Sequence, residues 1–280
     1  MVRKTKEVSN VTRTKIRRLI MKQEMMTVVS QIQLAPNIYE LVLTGELVKE
    51  MKVPGQFIHI KVPRADLLLR RPISLAKINL EKAECTIIYR VEGAGTADFS
   101  QLTTGDLLDV MGPLGNGFPI TDISSEDIVF IIGGGIGVPP LYELSRQLKK
   151  RGAKVVHILG FAKQEVIFYE EAFKALDEVH ISTDDGSYGT QGHVGNVLDR
   201  LLKEYQPTAV YSCGSNGLLK TVEANFHDHP RAYLSLEARM ACGMGACYAC
   251  VCHLQADETG KESKKVCDEG PVFATGEVRL

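Results

Sequence analysis

The sequence predicts a multidomain β plus α/β protein: a small antiparallel β-barrel, then a Rossmann-like parallel α/β unit, then a short cysteine-rich domain. Three observations predict it. Short alternating apolar runs separated by Gly, Pro and Asn fill the chain to about residue 117. The pattern then changes to continuous apolar strands alternating with helical stretches. Finally, four cysteines gather between Cys242 and Cys267.

At 280 residues the chain has room for two domains and an appendage. A hydrophobic fraction of 44% is that of a globular protein, and no run approaches the roughly 18 apolar residues of a membrane helix. Residues 1–22 hold eight Lys or Arg against Glu7, a net of +7, which against the total of −1 leaves −8 for the other 258 residues. The body therefore offers no nucleic-acid footprint. The basic head, residues 1–24, has no apolar core and no clear cleavage signal, so it is expected to be a disordered extension upstream of a functional start at Met21 or Met25. Seven cysteines make an odd count without a disulfide framework, which fits a reducing cytoplasm.

The barrel is expected over residues 25–122. Its strands are T-V-V-S-Q-I-Q-L, I-Y-E-L-V-L, G-Q-F-I-H-I-K-V, C-T-I-I-Y-R-V and D-L-L-D-V, broken at Pro36-Asn37, Pro54-Gly55 and the glycines from Gly93 and from Gly112. Within it, Arg70-Arg71-Pro72-Ile73-Ser74 offers a guanidinium fork for a pyrophosphate, a fixed backbone and a hydroxyl. Ile88-Tyr89-Arg90 leads into Gly93-Ala94-Gly95-Thr96, where glycines allow close approach to a phosphate and Thr96 is read as a helix N-cap. Alone, each is also an ordinary Arg pair or glycine turn; together they point to one bound dinucleotide.

Residues 123–230 are expected to form the nucleotide domain. The strand Asp127 to Ile132, the turn Gly133-Gly134-Gly135-Ile136-Gly137-Val138-Pro139-Pro140 and the helix from Leu141 make a βα phosphate cradle. Pro139 and Pro140 suit a first helical turn. Strands at Val155 to Gly160, Val179 to Thr183 and Thr208 to Cys213, with helices near Val194 to Lys203 and Leu218 to Phe226, continue the alternation. No acid closes the strand ending at Gly160, so these residues do not separate NAD from NADP. Cys213, at a strand's carboxyl end, either faces a nicotinamide or packs as a thiol.

Residues 231–280 carry the cysteines. Cys242, Cys247 and Cys250 form C-x4-C-x2-C, and Cys267 follows sixteen intervening residues later, the thiolate spacing of a plant-type [2Fe-2S] cluster. Gly243 and Gly245 permit a tight loop whose N–H groups face sulfur. A four-thiolate zinc site would use two short C-x2-4-C knuckles and a Rieske centre two His ligands; the array has one knuckle and only His253 nearby. Cys252, two positions past Cys250, is read as a buried, inert thiol.

The motifs R-P-I-S, G-A-G-T, G-G-G-I-G-V-P-P and C-G-S-N-G together resemble the ferredoxin-NADP reductase superfamily. Within it, E-A-R-M-A-C-G-M-G-A-C-Y-A-C-V-C and K-V-C-D-E-G-P-V-F resemble the electron transfer subunits of dihydroorotate dehydrogenase B, and the likeness covers about residues 25 to 275. The resemblance implies FAD on Arg71, Pro72, Ile73, Ser74, Ile88, Tyr89, Arg90, Gly95 and Thr96. It implies a [2Fe-2S] cluster on Cys242, Cys247, Cys250 and Cys267, and NAD as electron acceptor, with Gly133, Gly134, Gly135, Gly137 and Cys213 as its candidate contacts. The implied partner is an FMN-containing catalytic subunit that oxidises dihydroorotate in pyrimidine biosynthesis, two of each chain. No acid or base catalyst is expected, because cofactors carry such chemistry. Met240, Met244 and Tyr248 are read as the partner face. Ile73 stands where plant-type reductases place Tyr, and the chain ends Val278-Arg279-Leu280 without an aromatic, which suggests a more open flavin face. Two other readings fit parts of the pattern: a reductase subunit feeding ferredoxin or sulfide metabolism, and a redox-sensing iron-sulfur protein.

Overall fold

The computed structural model describes residues 21–280. The expectation of a disordered basic head thus falls almost wholly outside the described residues. Its last members do not fit that expectation: β1 (Lys22–Ala35) opens at Lys22, whose ammonium meets Glu50 at 2.7 Å.

The barrel continues through β2 (Ile38–Thr44), β3 (Phe57–Ile60), β4 (Arg71–Asn79), β5 (Glu84–Arg90), the short helix α1 (Ala94–Phe99) and β6 (Leu107–Leu114). It closes in the order β1-β2-β5-β4-β3-β6, every pair antiparallel. Alternation along each strand sends one set of side chains inward. Met26, Leu41, Ile58, Ile60, Leu75, Ile87, Tyr89 and Val110 fill the centre. Five of the six strands coincide with the alternating runs. The exception is β4, which begins with Arg71-Pro72; a proline lacks the N–H that an interior strand donates, so its strand signal is weak.

The second unit starts at β7 (Ile128–Gly134) and runs through α2 (Pro139–Lys150), β8 (Lys154–Phe161), α3 (Glu170–Lys174), β9 (Glu178–Thr183), β10 (Thr190–Gln191), α4 (Val194–Leu201), β11 (Ala209–Cys213), α5 (Asn216–Phe226) and β12 (Ala232–Ser235). The chain ends in the hairpin β13 (Val251–His253) and β14 (Ser263–Lys265), then β15 (Val272–Ala274). The main sheet has the order β10-β9-β8-β7-β11-β12-β15, parallel except for β15. Strands β12 and β15 both come from the stretch expected to be a separate cysteine domain. The boundary at 231 therefore does not separate the sheets: the cysteine loop is slung between two strands of the nucleotide sheet.

The chain leaves β7 toward β8 on one side and returns through β11 on the other. This makes the carboxyl ends of β7 and β11 the switch point where open α/β sheets take ligands. Helix α2 joins the sheet to the barrel. Buried Glu143 accepts from the Ile78 amide of β4 at 3.1 Å and from Arg146 at 2.6 Å, and Arg146 also donates to the Ile78 carbonyl. An apolar seam of Ile38, Ala76 and Ile88 against Val138, Leu159 and Phe161 closes the same junction.

Candidate functional site

A cleft of about 230 Å3 opens where β4, β5, the turn after β7 and the end of β11 converge. Pro72, Ile73, Ser74, Ile88, Tyr89, Arg90 and Thr96 lie on its walls. Arg71 and Gly95 do not line it, but they meet each other: a Cβ on Gly95 would sit 2.8 Å from Arg71 Nε. The two barrel motifs, distant in sequence, are thus in contact. Tyr89 is a partial exception to its expected role. Its ring lies in the barrel core, stacked on Tyr39, with its hydroxyl donating to Gln31 at 2.8 Å, which leaves its main chain to face the cleft. Thr96 is not the N-cap. Gly93 takes that place in extended conformation, and Thr96 Oγ1, three residues on, accepts from the Gly93 amide at 3.3 Å and the Glu92 amide at 3.0 Å.

A second cleft of about 490 Å3 adjoins the first across Arg90, Ile136 and Glu237, which line both. Gly134, Gly135 and Gly137 form its floor with Gly214 and Ser215. Gly137 needs its bare Cα: a Cβ would stand 2.5 Å from the Cys213 carbonyl oxygen, so only glycine lets the β7 and β11 turns meet. Gly133 is not on this wall; it lies inside β7 under Leu141 of α2. Cys213 lines the first cleft rather than the second, and burial pushes its thiol up to about 12. Asp184, with His193 at 2.9 Å, borders the second cleft from the end of β9.

Glu237 is the residue that sequence reasoning passed over. It opens the E-A-R-M block, yet only the fold brings it to the edge shared by both clefts. Desolvation by the cleft walls raises its carboxyl above the usual range, with Glu92 adding to the effect.

The cysteine loop runs from Ala241 to Cys250 in irregular backbone. Gly243 and Gly245 have φ of 70° and 78°, and a Cβ on either would strike His59 Nδ1 or Asp268 Oδ2 at 2.5 and 2.6 Å. That path turns amides toward sulfur: Met244 N–H points to Cys242 Sγ at 3.4 Å, Gly245 N–H to Cys267 Sγ at 3.1 Å, and Cys267 N–H to Cys250 Sγ at 3.4 Å. The four thiols stand as two neighbouring pairs, Cys242 with Cys247 and Cys250 with Cys267. Burial works to raise Cys242, but the Met244 amide and the Cys247 thiol outweigh it and bring the group down to about 7. Burial raises Cys267, and its Cys250 neighbour adds to the rise. Among the described residues no three His, Cys, Asp or Glu side chains gather as one metal ion requires. Two thiol pairs with amide donors between them suit a two-iron core, so the donor set fits a [2Fe-2S] group.

Cys250 and Cys267 pack with Phe57 of β3, Met111 and Phe273. Phe57 also lines the first cleft, so the cleft and the cysteine loop share a wall. Beside it, His59 is fully buried; burial, with the Arg70 and Arg71 guanidiniums nearby, holds its imidazole down to about 4. Cys252 stands apart on β13, its thiol facing the Lys264 carbonyl at 3.5 Å. It is half-buried rather than buried, because a two-stranded hairpin covers only one of its faces. Met244 and Tyr248 are exposed, whereas Met240 packs inward and lines the first cleft, which removes it from the expected partner face.

Residues 237–279 match the family model described as the iron-sulfur cluster binding domain of dihydroorotate dehydrogenase B, and residues 131–224 match the oxidoreductase NAD-binding domain. The chain is 60% identical to a protein of Enterococcus faecalis named dihydroorotate dehydrogenase B (NAD(+)), electron transfer subunit, over 92% of this chain and 99% of that protein. A protein of the same name from Geobacillus kaustophilus is 52% identical over 92% and 99%. Among solved structures, an NADH-dependent reduced ferredoxin-NADP oxidoreductase superposes with a TM-score of 0.81 at 26% identity, covering 91% of this chain and 90% of that one.

Proposed function

Because the chain belongs to the family of dihydroorotate dehydrogenase B electron transfer subunits, we infer that it carries electrons from a dihydroorotate-oxidising partner subunit to NAD. The observation that carries this reading is the shared wall: Phe57 of β3 has the paired cysteines on one side and the first cleft beside it. When bound, a [2Fe-2S] group supplies one-electron transfer, and FAD and NAD supply hydride chemistry.

The chain's own residues are assigned as follows. Cys242, Cys247, Cys250 and Cys267 hold the iron, and the amides of Met244 and Gly245 donate to their sulfurs. Arg71, seated against Gly95, would neutralise the pyrophosphate of a bound FAD, while Pro72, Ile73, Ser74, Ile88, Arg90, Thr96 and the Tyr89 main chain line the cleft that would take the flavin. Gly134, Gly135 and Gly137 let the NAD phosphates approach the start of α2. Gly133 acts beneath them by packing under α2, and Cys213 lies on the flavin side. Glu237 and Arg90 border the passage between the clefts and would lie beside both a bound flavin and a bound nicotinamide. Exposed Met244 and Tyr248, beside exposed Cys247, form the partner face of a two-plus-two assembly.

Seven cysteines with no disulfide between them, four of them in the two candidate ligand pairs, support a reducing, cytoplasmic setting, and no described helix is long and apolar enough to cross a membrane. The barrel, nucleotide and cysteine regions are assigned to FAD, NAD and iron in that order. Affinity purification of the chain from its native cell tests the reading. An orotate-producing flavoprotein in the eluate supports it; ferredoxin or a sulfide-metabolising complex in its place contradicts it.

A further inference from the structure

His59 is fully buried on β3, and both of its ring nitrogens lack a hydrogen-bond partner among the described residues. Buried polar atoms are almost always paired, so an imidazole with neither nitrogen satisfied calls for a group that the protein chain itself does not provide. The ring's position says which group. Its Nδ1 edge abuts the cysteine loop, for a Cβ on Gly243 would lie 2.5 Å from Nδ1 and 3.1 Å from Cε1, and Gly243 directly follows Cys242.

Strand geometry gives the same direction independently. Residues two apart on a strand share a face. Phe57 packs with Cys250 and Cys267, so His59 looks out of the barrel toward the same loop, while Ile58 and Ile60 fill the barrel. On the neighbouring strand, Phe57 is in register with Ser74 and His59 with Pro72. The backbone donors already facing sulfur all come from the cysteine segment itself. His59 is a side-chain donor from outside it.

We propose that His59 is a positioning residue that donates a ring N–H to the sulfur-rich group held by Cys242, Cys247, Cys250 and Cys267, and thereby raises its reduction potential. The proposal rests on the reading that these cysteines hold a [2Fe-2S] cluster. A donor to sulfur favours the reduced, more negative form.

Anaerobic redox titration of the holoprotein, followed by electron paramagnetic resonance of the reduced cluster, tests it. His59→Leu is expected to shift the one-electron equilibrium about tenfold toward the oxidised form, a potential lower by about 59 mV. His59→Gln, which keeps an N–H, is expected to restore most of that shift. A merely structural role would alter iron loading and leave the potential of loaded molecules unchanged. An unchanged potential in fully loaded His59→Leu overturns the proposal. If His59→Leu does not load, pulsed measurements on His253→Gln protein that keeps His59 and carries 15N only in histidine read the same contact. A histidine nitrogen coupled to the reduced cluster supports the proposal, and a cluster signal without that coupling overturns it alone. Absence of any reduced-cluster signal overturns both the proposal and the cluster reading.

Discussion

At the scale of single residues, a thiol becomes a ligand through its surroundings, and the cysteines of this chain divide on that basis. Cys267 has the Gly245 amide aimed at its sulfur and the Cys250 thiol beside it, whereas the Cys252 thiol is turned to donate to the Lys264 carbonyl on the neighbouring strand of its hairpin. Cys267→Ser is therefore expected to abolish most bound iron and sulfide while FAD remains, and Cys252→Ser to leave all three unchanged; iron, sulfide and flavin assays on anaerobic preparations read both. The four ligand candidates were legible because their spacing and the small residues around them are local in the chain. Glu237 and the outward face of His59 were not, since a strand pattern does not reveal which loop will cover it. Thr96 was misread by three positions because the extended Gly93 caps its helix without a side chain.

At the scale of elements, the packing of α2, β8 and β9 contains a pH-sensitive contact. His157 on β8 bonds Ser145 of α2 at 2.5 Å and the Glu178 carbonyl of β9 at 2.7 Å. Burial lowers its pKa from 6.5 to about 4, so the unfolded chain binds a proton that the folded one refuses between these values. Stability should therefore be full above about pH 6.5 and fall as pH drops toward 4, by at most about 3 kcal/mol for this group. His157→Gln, which does not titrate, should flatten that slope in urea unfolding followed at pH 7 and pH 5; an unchanged slope would assign the loss elsewhere. The period-2 runs and the apolar β7 announced most strands, because alternation and burial are written residue by residue. Strand β4 was hidden by Pro72, and β15 by its three-residue length and its pairing with a distant strand.

For the whole molecule, the account depends on three regions keeping their relative places. Glu143 does much of this, joining α2 to the Ile78 amide of the barrel from a buried position. Glu143→Ala should cost about 2 kcal/mol, the worth of a charge-assisted hydrogen bond to a buried amide. It should also speed limited proteolysis at the barrel–sheet junction and release of FAD. The order of the regions could be read from the sequence, but the way β12 and β15 tie the cysteine loop into the nucleotide sheet could not, because the two strands are separated by residues 236–271, irregular except for the short β13–β14 hairpin. The most direct test of the central claim, that paired thiols and a flavin cleft share one wall in a working relay, is a visible spectrum of anaerobically purified protein with iron, sulfide and flavin assays, taken before and after NADH. The account predicts one FAD with iron and sulfide in the proportion of one [2Fe-2S] group, and bleaching of both flavin and cluster bands by NADH. Flavin that bleaches while the preparation holds no iron, or iron that stays oxidised beside reduced flavin, would contradict it.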